Sequence, residues 1–298
     1  LVSLATAYGI RARVNLVMNK WADAATEAQA ALSTTDATPM SMAEVSVPTF
    51  ASMDEHNWMW GIYVDEQDRV VTSGIVNYPS HMGSLNYGYA TVGAWRMVNK
   101  QLYNSIPDTD VRKGWFLDED ATSKNLSAAQ QSFLDESGAP AYTQVKFAPY
   151  QNVIYQHTNA NDLPLMRVEE MYYILAEAQA MGGSATLGAK TLQDFVQQYR
   201  DPSYTCTAAT AEAVQTAVWN QRRVEFWGEG ISYLDLMRLN KGLDRRGGGW
   251  EPEYVYNIPA GDQIMVLCIP QSETNRNPLI SPGDNNPSAA RPTAVDDI

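Results

Sequence analysis

Residues 222–240, RRVEFWGEGISYLDLMRLN, mix charged side chains with bulky apolar residues at helical spacing. Gly228 and Gly230 interrupt this pattern, and glycine is the residue that most readily allows the backbone to turn sharply. We therefore predict that one helix ends before these glycines. A second helix is predicted to begin at about Tyr233.

The charged residues around this turn allow a catalytic or a structural interpretation. Glu225 and Glu229 lie four residues apart, and paired carboxylates also occur in the active sites of glycosidases. Arg222 and Arg223 lie within one helical turn, and their charges keep nearby carboxylates ionised, whereas a general acid needs a raised pKa. We interpret the four residues as ion pairs that fasten a helix end, with Glu229 at the N-terminus of the second helix. The segment therefore offers no catalytic residue.

Apolar residues near the start of the chain repeat with the spacing of helix faces. In the first predicted helix they are Leu1, Leu4, Ala5, Tyr8, Ala12 and Leu16. In the second predicted helix they are Trp21, Ala24, Ala25, Ala28, Ala31 and Leu32. Because residues 19–20 leave room only for a short turn, the two helices must be antiparallel neighbours. Such a pair is the repeating unit of tetratricopeptide proteins.

The chain divides into segments that differ in helical periodicity and in proline and glycine content, and we predict a mainly α fold. The predicted segments are a helical hairpin over residues 1–35, a long loop-rich insertion over residues 36–160, helical hairpins over residues 161–240 and a loop-rich tail over residues 241–298. Together they form the C-terminal part of a single domain. Within the insertion, residues 91–106 are predicted to form one helix, since their apolar residues have helical spacing.

The bulk composition restricts the class of partner. The 298 residues carry a net charge of −13, which disfavours nucleic acids and anionic membrane surfaces because both are bound through lysine and arginine. Tyrosine (16) and tryptophan (8) outnumber phenylalanine (6), and rings with a polar tip suit wet binding surfaces. The sequence leaves open whether Cys206 and Cys268 pair. Because the chain begins inside an amphipathic pattern, we expect a further part and any export signal upstream.

Three partial motifs do not predict a cofactor or a metal site. Residues 182–191, GGSATLGAKT, have the glycine spacing of a phosphate-binding loop, but Ala189 stands where that loop needs lysine, so an inter-helix turn is expected. Residues 118–125, DEDATSKN, lack the later ligands of a calcium loop. No histidine has a partner at helical spacing for zinc. The three histidines are His56, His81 and His157.

Residues 220–239, NQRRVEFWGEGISYLDLMRL, resemble the C-terminal signature of SusD/RagB-type outer-membrane lipoproteins, roughly R-R-x-E-L-x-x-E-G-x-R-x-x-D-L-x-R. The matching residues are Arg222, Arg223, Glu225, Glu229, Gly230, Asp235, Leu236 and Arg238. Ser232 stands where the signature has an arginine. Four further segments resemble motifs of the family. They are NWMWGI (57–62), IPDTDVRKGWF (106–116), LPLMRVEEMYYILAEA (163–178) and LCIPQSETNRNPLI (267–280).

This resemblance implies a function that composition and spacing do not supply. It implies tetratricopeptide-like helical pairs, and a lipid anchor on an N-terminal cysteine that precedes the present sequence. Members of the family lie on the outer membrane of Bacteroidetes-type bacteria, where they capture glycans and pass them to a SusC-like TonB-dependent transporter. We accordingly predict a carbohydrate-binding protein of nutrient uptake and polysaccharide utilisation that is not an enzyme. The alternatives are oligopeptide binding of the RagB type and a hydrolase or structural adaptor.

The predicted ligand site lies in residues 74–93, GIVNYPSHMGSLNYGYATVG. This segment lacks the apolar periodicity that would bury its rings in a helix or strand. The predicted stacking residues are Tyr78, Tyr87 and Tyr89, and the predicted hydrogen-bonding residues are His81 and Asn86. A rival site lies in residues 247–257, GGGWEPEYVYN, with the rings of Trp250, Tyr254 and Tyr256.

Overall fold

The computed structural model describes residues 2–298, so Leu1 of the first predicted helix lies outside the described residues. The helices are α1 (Leu4–Val17), α2 (Trp21–Thr34), α3 (Arg69–Thr72), α4 (Tyr78–Met82), α5 (Lys100–Asn104), α6 (Ala128–Glu136), α7 (Val168–Met181), α8 (Ala185–Tyr199), α9 (Ala211–Glu225), α10 (Ile231–Arg238) and α11 (Gln271–Thr274). The strands are β1 (Trp58–Ile62), β2 (Leu163–Arg167), β3 (Leu243–Asp244) and β4 (Asn257–Ile258). This arrangement confirms the mainly α fold class. Within the described part, none of these helices combines the length and the apolar character that crossing a membrane requires.

The described chain folds as two compact units. The first unit runs as far as Glu229 and omits residues 99–101. The second unit comprises Asn99–Gln101 and Gly230–Ile298. The boundary therefore falls inside the glycine turn that follows α9.

Helices α1, α2 and α7 share one hydrophobic core in the first unit. Its buried side chains are Ala12, Leu16, Ala24, Ala28, Ala31, Met166, Met171, Ile174, Leu175 and Ala178. Small alanine side chains allow the helix axes to approach closely. Ser3 caps α1 by accepting a hydrogen bond from the amide of Thr6 (3.1 Å), and Asn19 turns the chain towards α2 with a φ of 57°. The predicted first hairpin is confirmed.

Helix α8 packs on α7 through Gly188. A Cβ atom at this position would collide with the carbonyl oxygen of Ala176 and with the side chain of Ala180. Residues 182–191 form the turn after α7 and the first part of α8. The expected inter-helix turn is confirmed, and Gly188 allows the two helices to pack closely.

The insertion is attached to the helices by a short sheet and by an aromatic core. Strand β1 pairs antiparallel with β2, so that Trp58 lies opposite Arg167 at the start of α7. The NWMWGI segment therefore contains a strand. The buried residues of the aromatic core are Met40, Val45, Phe50, Val98, Leu102, Ile106, Trp115, Phe116, Phe147 and Val224.

The helix predicted over residues 91–106 is wrong for its first half. Only α5 is helical, because the preceding residues pair with another segment of the insertion. The amide of Val98 donates to the carbonyl of Tyr142 (2.9 Å), and the amide of Gln144 donates to the carbonyl of Arg96 (2.9 Å). Backbone groups bonded across the chain in this way cannot also form helical i→i−4 bonds.

The second unit begins at the glycine turn. Gly230 has a φ of 81°, a left-handed conformation that suits glycine, and α10 starts directly after it at Ile231. The predicted start at Tyr233 is therefore two residues late. The irregular tail is attached to this unit, since the amide of Val295 donates to the carbonyl of Val255 (2.8 Å).

Candidate ligand-binding surface

Glu225 lies at the centre of a buried network of ion pairs. Its carboxylate accepts hydrogen bonds from three arginines, namely Arg200 (2.8 Å), Arg167 (3.1 Å) and Arg112 (3.2 Å). Burial by itself would raise the pKa of Glu225, but the three guanidinium charges outweigh it and hold the pKa well below its ordinary value. Glu225 is therefore ionised and cannot serve as a general acid.

Glu229 belongs to the same network. Its carboxylate accepts hydrogen bonds from Arg167 (2.9 Å) and from the ammonium group of Lys146 (2.6 Å). Burial opposes ionisation of Glu229, but the charges of Arg167 and Lys146 lower its pKa. Burial lowers the pKa of Lys146 to about 8, although Glu229 acts in the opposite direction. Both glutamates of the signature thus hold the fold together.

The structure corrects the partners that the sequence suggested for these glutamates. Arg222 lies 3.8 Å from Glu170, and the guanidinium group of Arg223 lies over the ring of Trp219, 4.9 Å from its centroid. Among the described residues no side chain caps α10, so Glu229, although it directly precedes the N-cap residue Gly230, does not cap this helix as expected.

Two of the predicted ligand residues are withdrawn from solvent, Tyr78 partly and Asn86 almost completely. The hydroxyl of Tyr78 donates to the carbonyl of Gly228 (2.6 Å), its ring meets Phe147 edge to face, and burial raises its pKa. Asn86 is 1% exposed, and its side-chain amide donates to the carbonyl of Pro79 (3.2 Å). Both side chains donate hydrogen bonds within the protein and are less exposed than Tyr155 and His157, so we do not include them in the candidate site.

The other three predicted residues belong to stacked ring pairs. His81 stacks on Tyr89 with ring centroids 4.1 Å apart, and Tyr87 stacks on His157 at 4.3 Å. Tyr155 meets Tyr87 edge to face at 5.5 Å and is 45% exposed. The aromatic surface, as we call it, consists of Tyr87, Tyr155 and His157 together with the neighbouring pair of His81 and Tyr89.

Backbone hydrogen bonds fix the positions of these rings. The amide of Tyr155 donates to the carbonyl of Leu85 (2.7 Å), and the amide of Tyr87 donates to the carbonyl of Gln156 (3.0 Å). The side-chain amide of the buried residue Asn159 also donates to the carbonyl of Tyr87 (3.0 Å). The two loops that carry the rings are therefore tied together along their backbones.

The loop at residues 150–157 contains unusual backbone conformations. Gln151, Asn152 and Tyr155 have positive φ values of 54°, 58° and 59°. Such conformations are unfavourable for residues other than glycine, and they concentrate at sites that bind ligands. The loop also borders a groove of about 460 Å³. Among the residues that line the groove are Thr49, Ser52, Glu55, Tyr63, Tyr150, Gln151, Asn152 and Asp162.

A second cavity, of about 470 Å³, is a weaker candidate. It is lined in part by residues 118–124 and by Tyr103. Several of its charged groups already have partners within the protein, since the ammonium group of Lys113 donates to Asp108 (2.5 Å) and Asp118 accepts a hydrogen bond from the backbone amide of Thr122 (2.8 Å). The tyrosines of this cavity, Tyr103 and Tyr142, are partly buried, whereas Tyr155 and His157 of the aromatic surface are exposed.

Tyr155 and His157 complete the aromatic surface, and neither is among the ligand residues that the sequence predicts. The signal that could have revealed them is the composition of residues 150–157, YQNVIYQH. Like residues 74–93, this segment combines rings with amide side chains and has no apolar periodicity. Its proximity to Tyr87 depends on backbone pairing across the insertion, which the sequence does not show.

The fold defines a tetratricopeptide-like helical protein that carries a loop-rich insertion. A model of the SusD family matches residues 98–287, and the chain belongs to this family. The match includes the signature around Glu225 and Glu229. It ends within the second unit.

Solved structures with the same fold are similar to this chain. A SusD superfamily protein from Bacteroides thetaiotaomicron is 22% identical with a TM-score of 0.73, and the match covers 96% of this chain and 61% of that one. A SusD-like carbohydrate binding protein from Bacteroides vulgatus is 20% identical with a TM-score of 0.70, covering 96% and 60%. A SusD superfamily protein from Parabacteroides distasonis is 16% identical with a TM-score of 0.68, covering 94% and 62%. The chain thus spans about three fifths of the length of these proteins. No curated protein sequence matches the chain.

Proposed function

We propose that this protein binds a glycan through the aromatic surface and does not cleave it. The observation that carries the proposal is the ring cluster of Tyr87, Tyr155 and His157, in which Tyr155 and His157 are exposed and which backbone hydrogen bonds hold in place. Sugar rings present apolar C–H faces, which pack on flat aromatic side chains. Their hydroxyl groups need polar partners, and the amide side chains of Gln151 and Asn152 border the adjoining groove.

The chemistry of the signature glutamates supports binding without hydrolysis. Glycosidases need one protonated carboxyl group and one carboxylate beside the bond that is cleaved. Glu225 and Glu229 are buried, and arginine charges lower their pKa values. They therefore supply neither the proton nor the access that cleavage requires.

Family membership supports a further part of the proposal, which concerns the whole protein. We place the protein on the outer membrane, exposed at the cell surface and held by a lipid anchor. There it would deliver the captured glycan to a SusC-like TonB-dependent transporter for nutrient uptake. One of the similar structures belongs to a SusD-like carbohydrate binding protein, which favours a saccharide as cargo.

Replacement of Tyr155 by alanine tests the binding site. Stacking aromatics contribute enough that Tyr155→Ala should weaken the affinity for a neutral oligosaccharide about five- to hundredfold. Val153→Ala is a matched control, because Val153 lies in the same loop and is 47% exposed, against 45% for Tyr155. Isothermal titration calorimetry against a panel of neutral oligosaccharides gives the affinities, and circular dichroism gives the Tm of each variant.

Two outcomes would overturn the proposal. Equal affinities for Tyr155→Ala, Val153→Ala and the parent protein would remove the aromatic surface from the binding site. Binding of oligopeptides without binding of any oligosaccharide in the panel would show that the cargo is a peptide. Chromatography of the incubated oligosaccharides tests the enzyme question, since release of shorter products would contradict pure binding.

A further inference from the structure

The second unit carries a ladder in which aromatic rings and arginines alternate. The guanidinium group of Arg245 lies between Trp250 and Tyr256, 4.1 Å and 4.0 Å from their ring centroids. That of Arg291 lies 5.8 Å from the ring of Tyr256 and 4.7 Å from the ring of Tyr254. The arginine ladder, in order, consists of Trp250, Arg245, Tyr256, Arg291 and Tyr254. Its outer rings are open to solvent, with Trp250 42% and Tyr254 43% exposed.

The two arginines of the ladder have no carboxylate partner among the described residues. Arg245 donates a long hydrogen bond to the carbonyl of Tyr254 (3.4 Å), and Arg291 donates to the carbonyl of Glu253 (2.5 Å). The buried Nε of Arg245 has no hydrogen-bond partner. By contrast, the adjacent Arg246 pairs with Asp244 at 2.7 Å. In a chain with a net charge of −13, two uncompensated guanidinium groups side by side form a local site for an anion.

Stacking prepares these arginines for a planar anion. A guanidinium group held between rings has little conformational freedom left to lose, while its N–H edges can still donate to a carboxylate. The exposed outer rings suit the C–H face of a sugar. Both kinds of group occur together in a sugar that carries a carboxylate.

We infer that the arginine ladder is a second saccharide site, which binds a uronic acid residue of an acidic glycan. The choice of a saccharide rests on the proposed function. The site itself is made only of residues of the second unit, whereas the aromatic surface lies in the first. The two sites can therefore be tested separately.

Tetragalacturonate and its methyl ester make a matched pair of probes, because they differ in charge and hardly in shape. Calorimetry on the parent protein should show tighter binding of the acid than of the ester, and added salt should reduce this preference. Arg245→Gln and Arg291→Gln should each reduce the affinity for the acid about tenfold or more, because each removes a charged hydrogen-bond donor. The affinity for the ester should change little.

Two further variants control for folding and for net charge. Arg246→Gln removes one positive charge from the same segment, but its arginine already pairs with Asp244, so the preference for the acid should persist. Trp250→Ala leaves both arginines but removes an exposed ring on which Arg245 stacks, so it should weaken both probes, and the acid more than the ester. Circular dichroism verifies that each variant is folded.

Equal affinity of the parent for acid and ester, or no binding of the acid, would overturn the inference. So would an equal effect of Arg245→Gln and Arg246→Gln. If poly-glutamate binds with the same arginine dependence and tetragalacturonate does not, the ladder recognises an acidic peptide. Failure of Tyr155→Ala to affect neutral oligosaccharides would count against the aromatic surface alone.

Discussion

Arginine side chains have opposite surroundings in the two units. In the first unit Arg112, Arg167 and Arg200 are almost fully buried, and each pairs with Glu225. In the second unit Arg245 and Arg291 lie against partly exposed rings. Charges that are paired inside a protein stabilise one conformation once it is formed. Charges that stack on rings without a counter-ion are available to a ligand.

This difference separates the residues that define the family from those that select a ligand. The signature residues Glu225 and Glu229 form ion pairs inside the fold, although charged motifs are often interpreted as functional sites. The candidate binding groups lie in loops outside the signature, at the aromatic surface and at the arginine ladder. The following predictions test that separation.

The largest effect is expected from Glu225→Gln. The change leaves three buried arginines without their shared carboxylate, and breaking a buried ion pair on one side costs about 3–5 kcal/mol. Urea unfolding followed by circular dichroism measures this loss. Asp194→Asn is the control, because Asp194 pairs with Lys190 on the exposed surface of α8, where such pairs contribute about 0.5 kcal/mol or less. Similar losses in the two variants would contradict the proposed role of the network.

Acid should weaken the same network. The pKa values of Glu225 and Glu229 are lower in the folded protein than their ordinary value of 4.5. Their contribution to stability is therefore complete above that value and is lost as the pH falls below it, by up to about 1.4 kcal/mol per pH unit for each group. Urea unfolding at a series of pH values should show this slope. In Glu229→Gln the slope should be shallower, and an unchanged slope would exclude Glu229 from the effect.

A smaller loss is expected from Gly230→Ala. No atom of the described residues lies within 4 Å of the position that a Cβ would take, so backbone strain at a φ of 81° acts alone. That strain costs about 1–2 kcal/mol. Gly283→Ala is the control, since Gly283 has no positive φ of this kind. A stability of Gly230→Ala equal to that of the parent would show that the turn tolerates a side chain.

The smallest effect on stability is expected at the aromatic surface. His157→Ala removes an exposed ring that stacks on Tyr87, so the Tm should change little while the affinity for an oligosaccharide falls several-fold. Tyr78→Phe should do the reverse, because it removes the hydrogen bond to Gly228, worth about 1 kcal/mol, from a partly buried ring. Calorimetry and thermal unfolding on both variants give the comparison. Loss of affinity in Tyr78→Phe alone would reverse our assignment.

The sequence predicted local structure better than it predicted partners. The alanine spacing of α1 and α2 predicts a tight hairpin, because helix periodicity is a local property. The ion pairs of Glu225 join residues that are far apart in the chain, such as Arg112, 113 positions away. No spacing rule reveals such a pair, although the short motif around Arg112 resembles a segment of the family.

The candidate site shows the same limit. Composition identified residues 74–93, yet the hydroxyl of Tyr78, in the helix α4 that follows the capping residue Asn77, is bonded to Gly228 within the protein. Helix α4 has five residues, too few to produce a periodic signal. His157 joined Tyr87 through pairing of two loops, which depends on the folded insertion. Which rings are exposed is therefore a property of the tertiary structure.

The left-handed residues of loop 150–157 have a consequence for the thermodynamics and kinetics of binding. Because the backbone of Gln151, Asn152 and Tyr155 is already in an unfavourable conformation, and because Tyr155 is bonded to Leu85, a ligand does not have to order this loop. Rigid docking of this kind keeps the entropy loss small. The heat-capacity change on binding would then reflect the buried ring area and no coupled folding. Association would proceed without a slow conformational step, so that affinity differences among glycans would arise from their dissociation rates.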